Sequence, residues 1–399
     1  MSSIQRQTTS PVRLTLSRDL VRSLRRGHPW VFADALKERP HAEPGAHASL
    51  ADKRGKAIAR GFYDPSSPLS FRVCTLARKQ MLNDAWAESC FERALTLRQR
   101  LFDSASTSGY RLFNGEGDGL PGLVVDVYAE SAVIKLDGPG PEGFWDAQGI
   151  AEWLVAHTQV TQVYQRDRTR GGPSGRALVG DTPTQPIAFT ENGLRFTADI
   201  VKGQKTGFFL DQRDNRALIR SMAQGQRTLN VFGYTGGFSV YAGAGGASHV
   251  TTVDIAKPAI AAAKMNMELN ELGHLHEAVA EDAFDFLEHA QGSGMRWDLV
   301  VLDPPSFAPN RQSAERAGKA YERLVAAGAR VCSSGGFVAA ASCSSHVNLE
   351  AFTHHVEQGI GAARRRATVV GIHQQPADHP TPLPFPDFRY LKLILLRLD

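Results

Sequence analysis

The fold is decided by the stretch Leu299-Val-Val-Leu-Asp-Pro-Pro-Ser-Phe307, in which a short apolar run ends abruptly at two prolines. Adjacent prolines cannot continue a buried sheet, because each lacks the N–H donor that the ladder needs. The run therefore predicts a buried strand that delivers Asp303 to the edge of a sheet. A second apolar run, residues 337–341, ends in a similar way at Ser342-Cys343-Ser344. Because open parallel sheets bind ligands at the carboxyl ends of their strands, we expect Asp303 and Cys343 to share the functional site.

Strands and helices alternate along the chain from about residue 191. The predicted strands cover residues 227–232, 249–253, 276–280, 298–302 and 336–341. The predicted helices cover residues 237–244, 257–271, 282–290, 312–332 and 348–361. Such alternation is typical of an α/β fold with a mostly parallel sheet and helices on both faces.

The first half of the chain has a different pattern. Residues 11–80 contain short alternating runs broken by Gly and Pro, which is typical of a small β barrel or sandwich. A helix at 84–102, two strands joined by a turn between 120 and 136, a helix at 143–157 and a strand near 162–166 predict a small α+β unit. A Gly- and Pro-rich loop is expected at 171–187. The sequence thus predicts three domains, at residues 1–80, 81–190 and 191–399.

Composition narrows the class of protein. The chain has 399 residues, of which 42% are hydrophobic and 22% charged, and no apolar run approaches the ~20 residues of a membrane helix. The N-terminus lacks the apolar core of a secretory signal, so a cytoplasmic location without membrane contact is expected. The four cysteines, at positions 74, 90, 332 and 343, have no Cys-x-x-Cys spacing, which disfavours a disulfide framework and a metal site.

Charge is distributed unevenly. Residues 1–80 contain 15 Lys and Arg against 6 Asp and Glu, although the whole chain has a net charge of only +4. A basic N-terminal segment suits contact with phosphates, because cations displace the counterions of nucleic acids. A solvated basic face is the alternative interpretation.

The first strand of the α/β half runs into Phe232-Gly-Tyr-Thr-Gly-Gly-Phe238, a glycine-bearing turn before a helix. Glycines let the backbone approach a ligand closely, and a helix N-terminus favours anionic groups. Asp254 ends the second strand 18 residues beyond Gly236, near the spacing at which an acid receives ribose hydroxyls. Asp282, with a neighbouring ring, follows the third strand and can bind an adenine amine. Since the glycines do not fit G-x-G-x-x-G, S-adenosylmethionine suits the pattern better than a dinucleotide, although Asp254 or Asp282 could instead cap a helix.

Cys343 leaves an apolar strand just before a predicted helix, and a helix N-terminus lowers a thiol pKa. A free cysteine is more often a buried, inert side chain, which is our interpretation of Cys74, Cys90 and Cys332. A thiolate explains one methyl transfer in particular, the transfer to carbon 5 of a pyrimidine. Addition of the thiolate to ring carbon 6 makes carbon 5 electron-rich, and elimination after methylation and proton loss regenerates the thiol. Asp303 would hydrogen-bond the base edge and stabilise the adduct.

The ordered set of motifs resembles the bacterial 23S rRNA 5-methylcytosine methyltransferases over nearly the whole chain. The matching runs are Lys205-Thr-Gly-Phe-Phe-Leu-Asp-Gln-Arg-Asp-Asn215, Asn230-Val-Phe-Gly-Tyr-Thr-Gly-Gly-Phe238, Leu302-Asp-Pro-Pro-Ser-Phe307, Ser342-Cys-Ser344, Ala377-Asp-His-Pro380, Arg25-Arg-Gly-His-Pro-Trp-Val-Phe32, Gly61-Phe-Tyr-Asp-Pro65 and Gly115-Glu-Gly-Asp-Gly-Leu-Pro-Gly122. The resemblance implies a class I Rossmann-like methyltransferase domain. A small β-barrel PUA domain that binds RNA and a central α+β domain would precede it.

The resemblance also implies residue roles. Cys343 would be the nucleophile and Asp303 its partner at the base. Pro305 and Ser306 stand where many RNA cytosine methyltransferases have a second cysteine, so one thiol would act alone. The implied S-adenosylmethionine site comprises Lys205, Thr206, Phe208, Asp211, Phe232, Gly233, Tyr234, Gly236, Asp254, Asp282 and Asp303. Candidate RNA contacts are Arg25, Arg26 and Trp30, with core packing as an equal alternative for Trp30.

We therefore expect an S-adenosylmethionine-dependent enzyme that forms 5-methylcytosine. Its expected RNA partner and substrate is 23S rRNA. One alternative is an RNA N-methyltransferase, in which Asp303 orients an amine and no thiol is needed. A second is a non-catalytic RNA-binding factor, and a third, disfavoured by the glycine spacing, is a nicotinamide-dependent oxidoreductase. The sequence leaves the target nucleotide and the oligomeric state open, with a homodimer among the alternatives.

Overall fold

The structure, a computed structural model, describes residues 2–6, 11–77, 79–167, 175–308, 312 and 314–399. Contacts between backbone positions divide the chain into two units. The first comprises Met1–Gly193, Ala198–Leu210 and Ala377–Pro386, and the second comprises Leu194–Thr197, Asp211–Pro376 and Asp387–Asp399. The predicted domain boundaries at residues 80 and 190 stay predictions.

The N-terminal part of the first unit contains one helix and five strands. These are β1 (Val12–Thr15), α1 (Val21–Arg25), β2 (Trp30–Phe32), β3 (Ala46–Ala51), β4 (Ala57–Tyr63) and β5 (Leu69–Thr75). They form a sheet in the order β1-β3-β4-β5-β2 over a core that includes Leu14, Leu50 and Phe71. Within the described residues this sheet does not close, because the short edge strands β1 and β2 do not pair with each other. The predicted barrel is therefore a five-stranded sheet.

The rest of the first unit is the expected α+β arrangement. Its elements, with the strand β12 that leads out of it, are α2 (Asp84–Leu101), β6 (Gly109–Asn114), β7 (Leu123–Tyr128), β8 (Ser131–Leu136), α3 (Pro139–Phe144), α4 (Ala147–His157), β9 (Gln162–Arg166), β10 (Gly175–Val179), β11 (Ile187–Glu191) and β12 (Leu194–Ala198). The main sheet has the order β10-β9-β8-β7-β6.

Two predictions for this part were wrong. The single helix expected at 143–157 is two helices, because Trp145 is extended and Asp146 caps α4 by accepting hydrogen bonds from two backbone N–H groups. The loop expected at 171–187 contains β10, which pairs with β9 and whose short apolar run is obscured by flanking glycines and prolines. Residues 171–174 of that predicted loop lie outside the described residues.

The second unit confirms the predicted alternation of strands and helices. Its elements are α5 (Arg213–Met222), β13 (Arg227–Val231), α6 (Gly237–Ala244), β14 (His249–Asp254), α7 (Lys257–Leu269), β15 (His276–Ala280), α8 (Ala283–Gly292), β16 (Trp297–Leu302), α9 (Ala314–Val331), β17 (Cys332–Ser342), α10 (Leu349–Ala362), β18 (Ala367–His373) and β19 (Lys392–Leu398). The sheet has the order β15-β14-β13-β16-β17-β19-β18, with β13 to β17 mutually parallel. The strands β18 and β19 were not predicted, and β19 runs antiparallel to both β17 and β18.

Burial on both faces explains why these strands read as continuous apolar runs. On one face, Leu229 and Val231 of β13, Val300 and Leu302 of β16 and Val338 of β17 belong to one buried cluster. On the other face, Leu299, Val301 and Ala339 are buried as well. The chain leaves β13 toward β14 and β15 on one side and returns to β16 on the other. Such a reversal of strand order opens a crevice at the carboxyl ends of the strands, where α/β proteins bind ligands. No helix among the described residues is long and apolar enough to cross a membrane.

Candidate cofactor and catalytic site

Five neighbouring parallel strands end at one edge of the second unit's sheet. Phe232 follows β13, Asp254 ends β14, Asp303 follows β16 and Cys343 follows β17. Asp282 stands two residues beyond the end of β15. The parallel pairing places these positions along the same edge, as the sequence predicts.

The glycine-bearing turn after β13 has a special backbone. Phe232, Tyr234 and Gly236 have φ values of +60°, +45° and +77°, a region that side-chain-bearing residues rarely adopt. A Cβ atom on Gly233 would clash with Thr252 Cγ2 of the neighbouring strand. Two non-glycine residues held in this conformation store strain, which is typical of functional loops. The turn therefore presents backbone at the crevice, as a close-fitting ligand requires.

Asp254 is fixed by backbone groups. Its Oδ2 accepts a hydrogen bond from the N–H of Tyr234 at 2.9 Å, and its Oδ1 accepts one from the N–H of Ala256 at 2.9 Å. Each carboxylate oxygen can accept a second hydrogen bond, so the pair remains able to receive two adjacent hydroxyls. The Tyr234 contact also joins Asp254 to the glycine-bearing turn.

Asp282 is the N-cap of α8. Its Oδ1 accepts hydrogen bonds from the N–H groups of Phe284, at 2.8 Å, and Asp285, at 3.3 Å. The capping alternative is thus observed, and it involves one oxygen only. Within the described part of the chain, Oδ2 accepts no hydrogen bond and can contact a ligand.

The two strand ends that carry Asp303 and Cys343 are tied together by serine hydroxyls. The hydroxyls of Ser306 and Ser344 lie 2.8 Å apart and form a hydrogen bond between the two loops. Asp303 Oδ1 accepts a hydrogen bond of 2.9 Å from Nε2 of Gln212, a buried residue just before α5. Both candidate residues are partly exposed.

Tyr321 was not predicted, because nothing in the sequence of α9 distinguishes it from a core aromatic. Its buried hydroxyl lies 2.9 Å from Ser342 Oγ and 3.1 Å from Ser344 Oγ, on both sides of Cys343. Burial raises the pKa of Tyr321, so its hydroxyl is neutral and can donate near pH 7. Phe307 packs on the Tyr321 ring at 5.0 Å, which ties the Asp303 loop to the same support.

Lys392 at the start of β19 was also not predicted. Only 2% of it is exposed, and its Nζ donates hydrogen bonds to the carbonyls of Ser344 at 2.6 Å, Val347 at 2.7 Å and Tyr390 at 2.7 Å. Burial lowers the pKa of Lys392 to about 8, and the neighbouring Cys343 opposes that shift. A lysine within a run of apolar residues was the available sequence signal.

The other three cysteines have the properties of structural side chains. Burial raises the pKa of Cys332 to about 12, and it raises the pKa of Cys74 and of Cys90. A thiol with a raised pKa is largely protonated near neutral pH and reacts slowly.

The predicted cofactor residues between 205 and 208 belong to the first unit, and Asp211 belongs to the second. Thr206 is buried, donates a hydrogen bond of 2.5 Å to Asp126 Oδ2 and lies 3.0 Å from the Tyr128 hydroxyl. Phe208 is buried against Phe189, so these two side chains are used in packing.

Lys205 and Asp211, at the two ends of this predicted cofactor motif, have different environments from Thr206 and Phe208. Lys205 has a φ of +52°, and its Nζ lies 4.5 Å from the centroid of the Phe209 ring. Asp211 is buried and accepts a hydrogen bond of 2.6 Å from the Tyr390 hydroxyl. Each of these side chains thus has an identified neighbour within its own unit.

The predicted RNA-contact residues have different environments. Arg25 and Arg26 are exposed at the end of α1. Trp30 is partly buried, its Nε1–H donates to Glu116 Oε1 at 2.7 Å, and its ring lies 4.8 Å from that of Phe385. The packing alternative for Trp30 is therefore observed. No cluster of three metal-binding side chains occurs among the described residues.

The turn, the Asp254 carboxylate and the open Asp282 oxygen fit an adenosine-containing ligand. Comparison with known proteins agrees with that chemistry. Residues 147–354 match the S-adenosylmethionine-dependent methyltransferase family model, and residues 14–76 match the PUA-like domain model. Among solved structures, a proposed methyltransferase complexed with S-adenosylhomocysteine has a TM-score of 0.84, with 24% identity over 97% of this chain and 99% of the other.

Curated relatives extend the match to the full chain. The "Ribosomal RNA large subunit methyltransferase" of Deinococcus radiodurans is 39% identical over 97% of this chain and 98% of its own length. The "Ribosomal RNA large subunit methyltransferase I" of Shewanella denitrificans is 33% identical over 97% of this chain and 99% of its own length. The chain therefore belongs to the S-adenosylmethionine-dependent methyltransferase family and has an N-terminal PUA-like domain.

Proposed function

We propose that this protein methylates carbon 5 of a cytosine in the 23S rRNA of the large ribosomal subunit, through a covalent adduct of Cys343. The observation that carries the proposal is the placement of Asp303 and Cys343 at the ends of the adjacent parallel strands β16 and β17, with their loops joined by the Ser306–Ser344 hydrogen bond. A carboxylate and a thiol on one strand edge are the groups that this reaction needs to hold the base edge and to attack ring carbon 6.

S-adenosylmethionine supplies a methyl group on a positively charged sulfur when it is bound. Asp254 would hold its ribose hydroxyls and Asp282 its adenine amine. The remaining proposed cofactor contacts come from the turn after β13 and from the Lys205–Asp211 motif, namely Phe232, Gly233, Tyr234, Gly236, Lys205, Thr206, Phe208, Asp211 and the nearby Asp303. Because the side chains of Thr206 and Phe208 are buried, these two would contribute through their backbone.

Cys343 would act on the base. Its thiolate would add to ring carbon 6, which makes carbon 5 electron-rich enough to accept a methyl group. Methyl transfer leaves S-adenosylhomocysteine, the carbon-5 proton passes to a general base or to water, and elimination across carbons 5 and 6 releases Cys343 as the thiolate, so the protein is unchanged after one cycle. Asp303 would hydrogen-bond the base edge and stabilise the adduct, and Gln212 would keep that carboxylate in place through its hydrogen bond to Oδ1.

RNA as substrate is supported by three observations. The curated relatives are named as large-subunit rRNA methyltransferases, and the N-terminal segment matches PUA-like domains. Residues 1–80 contain most of the excess positive charge, and Arg25 and Arg26 are exposed there. We propose these two arginines as RNA contacts that recognise phosphates, which predicts binding that weakens steeply with salt.

Bisulfite sequencing of 23S rRNA from cells with and without the gene tests the product. We expect one cytosine, or a small number, to be protected only when the gene is present, and re-expression of the protein to restore protection. Methylation of rRNA in the purified system without a bisulfite-protected cytosine would contradict the proposal and favour transfer to a nitrogen.

RNA carrying 5-fluorocytosine tests the covalent step. Fluorine cannot leave carbon 5 as a proton does, so the Cys343 adduct should persist and migrate as a protein–RNA complex on a denaturing gel. The Cys343→Ser variant is the matched control and should give no complex. Absence of an adduct from a protein that methylates ordinary RNA would overturn the thiol mechanism.

A further inference from the structure

Lys392 lies beside the candidate nucleophile, yet it belongs to a strand that comes about fifty residues later in the chain. In the antiparallel pairing of β17 and β19, Lys392 is opposite Ser342, the residue that precedes Cys343. Its Nζ reaches past the strand end to the carbonyls of Ser344 and Val347, which flank the loop between Cys343 and α10. One buried side chain thus holds both ends of the loop that follows the thiol.

The three hydrogen bonds of Lys392 identify its charge state. An ammonium group has three N–H donors, and the carbonyls of Ser344, Val347 and Tyr390 accept all three. A neutral amine has two donors and a lone pair, which would face the third buried carbonyl. The geometry therefore requires the protonated form, and a pKa of about 8 keeps Lys392 mainly protonated at pH 7.

A buried positive charge next to a thiol favours the thiolate. A thiolate at Cys343 would raise the pKa of Lys392, and by the same interaction a charged Lys392 favours ionisation of the thiol. Tyr321 on α9 also interacts electrostatically with Cys343 and is uncharged near pH 7, because burial raises its pKa. Of these two side chains, Lys392 is the charged one.

We propose that Lys392 is a positioning residue for Cys343, whose ammonium group fixes the loop that carries the thiol and stabilises the thiolate. This inference rests on the proposed function, in which Cys343 attacks the base. All three donors of Lys392 are engaged by carbonyls, so its influence on sulfur is electrostatic and not a proton transfer. Tyr390, whose carbonyl accepts from Lys392, also donates its hydroxyl to Asp211.

The test compares the full-length protein with its Lys392→Met and Lys392→Arg variants. The rate of Cys343 alkylation by iodoacetamide is measured against pH, by mass spectrometry of the Cys343 peptide so that the other thiols do not contribute. We expect Lys392→Met to raise the midpoint by about one pH unit, which lowers the thiolate fraction at pH 7 about tenfold. kcat should fall by about the same factor, with S-adenosylmethionine affinity within about twofold.

Two control variants, Lys392→Arg and Lys319→Met, make the test specific. Lys392→Arg keeps a positive charge and should restore most of the alkylation midpoint. Lys319→Met removes an exposed lysine of α9 and should leave both midpoint and kcat unchanged. A Lys392→Met protein that binds cofactor and has the wild-type midpoint would overturn the proposal.

If Lys392→Met does not fold, a measurement on the wild-type protein still tests the proposal. The alkylation midpoint of Cys343 in the native protein should lie below that of the same chain unfolded in urea, and a native midpoint at or above the unfolded value would overturn the proposal. These measurements need no turnover. An active Cys343→Ala variant would therefore refute the proposed function alone, whereas an unshifted midpoint with an inactive Cys343→Ala variant would refute only the role of Lys392.

Discussion

The carboxyl ends of β13 and β14 and those of β16 and β17 belong to one edge, but they are held in different ways. At the first pair, backbone groups do the holding, because Asp254 accepts hydrogen bonds from the N–H groups of Tyr234 and Ala256. At the second pair, side chains do so, since Tyr321 of α9 and Lys392 of β19 support the loop around Cys343. A ligand-binding edge can thus be held by backbone groups on one side and by side chains on the other.

The difference has a physical reason. A turn that presents backbone to a ligand can be held by its own N–H groups donating to a short acidic side chain of the neighbouring strand, with glycines that permit its conformation. The ionisation of a thiol depends on its electrostatic environment, which charged and polar side chains from other elements can supply. Changes at the second pair should therefore alter chemistry most, and changes at the first pair should alter cofactor binding.

The largest effect is expected when substitution of Cys343, which follows β17, is compared with substitution of Cys332, which begins β17. Cys343→Ala removes the proposed nucleophile and should lower methyl transfer at least about a thousandfold, with cofactor affinity retained in calorimetry. Cys332→Ala, at the buried start of the strand, removes a thiol whose pKa is raised to about 12 and should keep turnover within a few-fold. Equal turnover of the two variants would contradict a catalytic role for Cys343.

The glycine-bearing turn should be the next most sensitive feature. Gly233→Ala introduces a Cβ that clashes with Thr252 Cγ2, so it should lower the free energy of unfolding by about 1–3 kcal/mol and weaken S-adenosylmethionine binding. Thr252→Ser removes that methyl group and keeps the hydroxyl, so the double variant should recover much of both properties. Chemical denaturation and calorimetry measure the two effects.

The control for the glycine is a second glycine with free space. Gly292 in α8 has no atom within 4 Å of an added Cβ, so Gly292→Ala should not destabilise the protein or change cofactor affinity. A Gly233→Ala protein as stable as the Gly292→Ala protein would contradict the packing argument.

Asp282 should separate capping from cofactor binding. Asp282→Asn retains a capping oxygen and removes the charge, so it should weaken S-adenosylmethionine binding about tenfold with little change in stability. Asp282→Ala should also lower the free energy of unfolding by about 1 kcal/mol. Asn348→Ala removes the corresponding cap of α10 and should cost similar stability without affecting the cofactor. If Asp282→Asn has unchanged affinity for S-adenosylmethionine, Asp282 acts only as the cap of α8.

The smallest effect concerns His276, which begins β15 and contacts the Thr252 hydroxyl at 2.7 Å. Burial lowers the pKa of His276 to about 4 from its usual 6.5, so between these values the unfolded chain binds a proton that the folded protein does not. Stability should therefore fall as pH falls through this window. His276→Gln should reduce that loss by less than about 1 kcal/mol in urea denaturation at pH 7 and pH 5, and an identical pH dependence would contradict it.

Much of the fold was predictable where the local pattern carries the information. The alternation from β13 to α10 follows from apolar runs buried on both faces and from helical periodicity, and both are confirmed. Predictions failed where a distant partner decides the outcome. The strand β10 forms because it pairs with β9. The division of the helix expected at 143–157 was missed although its cause is local, since Asp146 caps α4. The antiparallel strand β19 could not be assigned before its place beside β17 was known.

The sequence by itself determined the cofactor family and predicted Asp303 and Cys343 at strand ends as the reactive positions, because these strand ends and the turn after β13 are each encoded in a short run of residues. Only the tertiary structure decided what surrounds them. Tyr321 and Lys392 reach Cys343 from α9 and β19, and Thr206 is turned into the packing of its own unit by Asp126. The reason is that the ionisation of a thiol and the burial of a hydroxyl depend on groups close in space, and sequence separation does not report those distances.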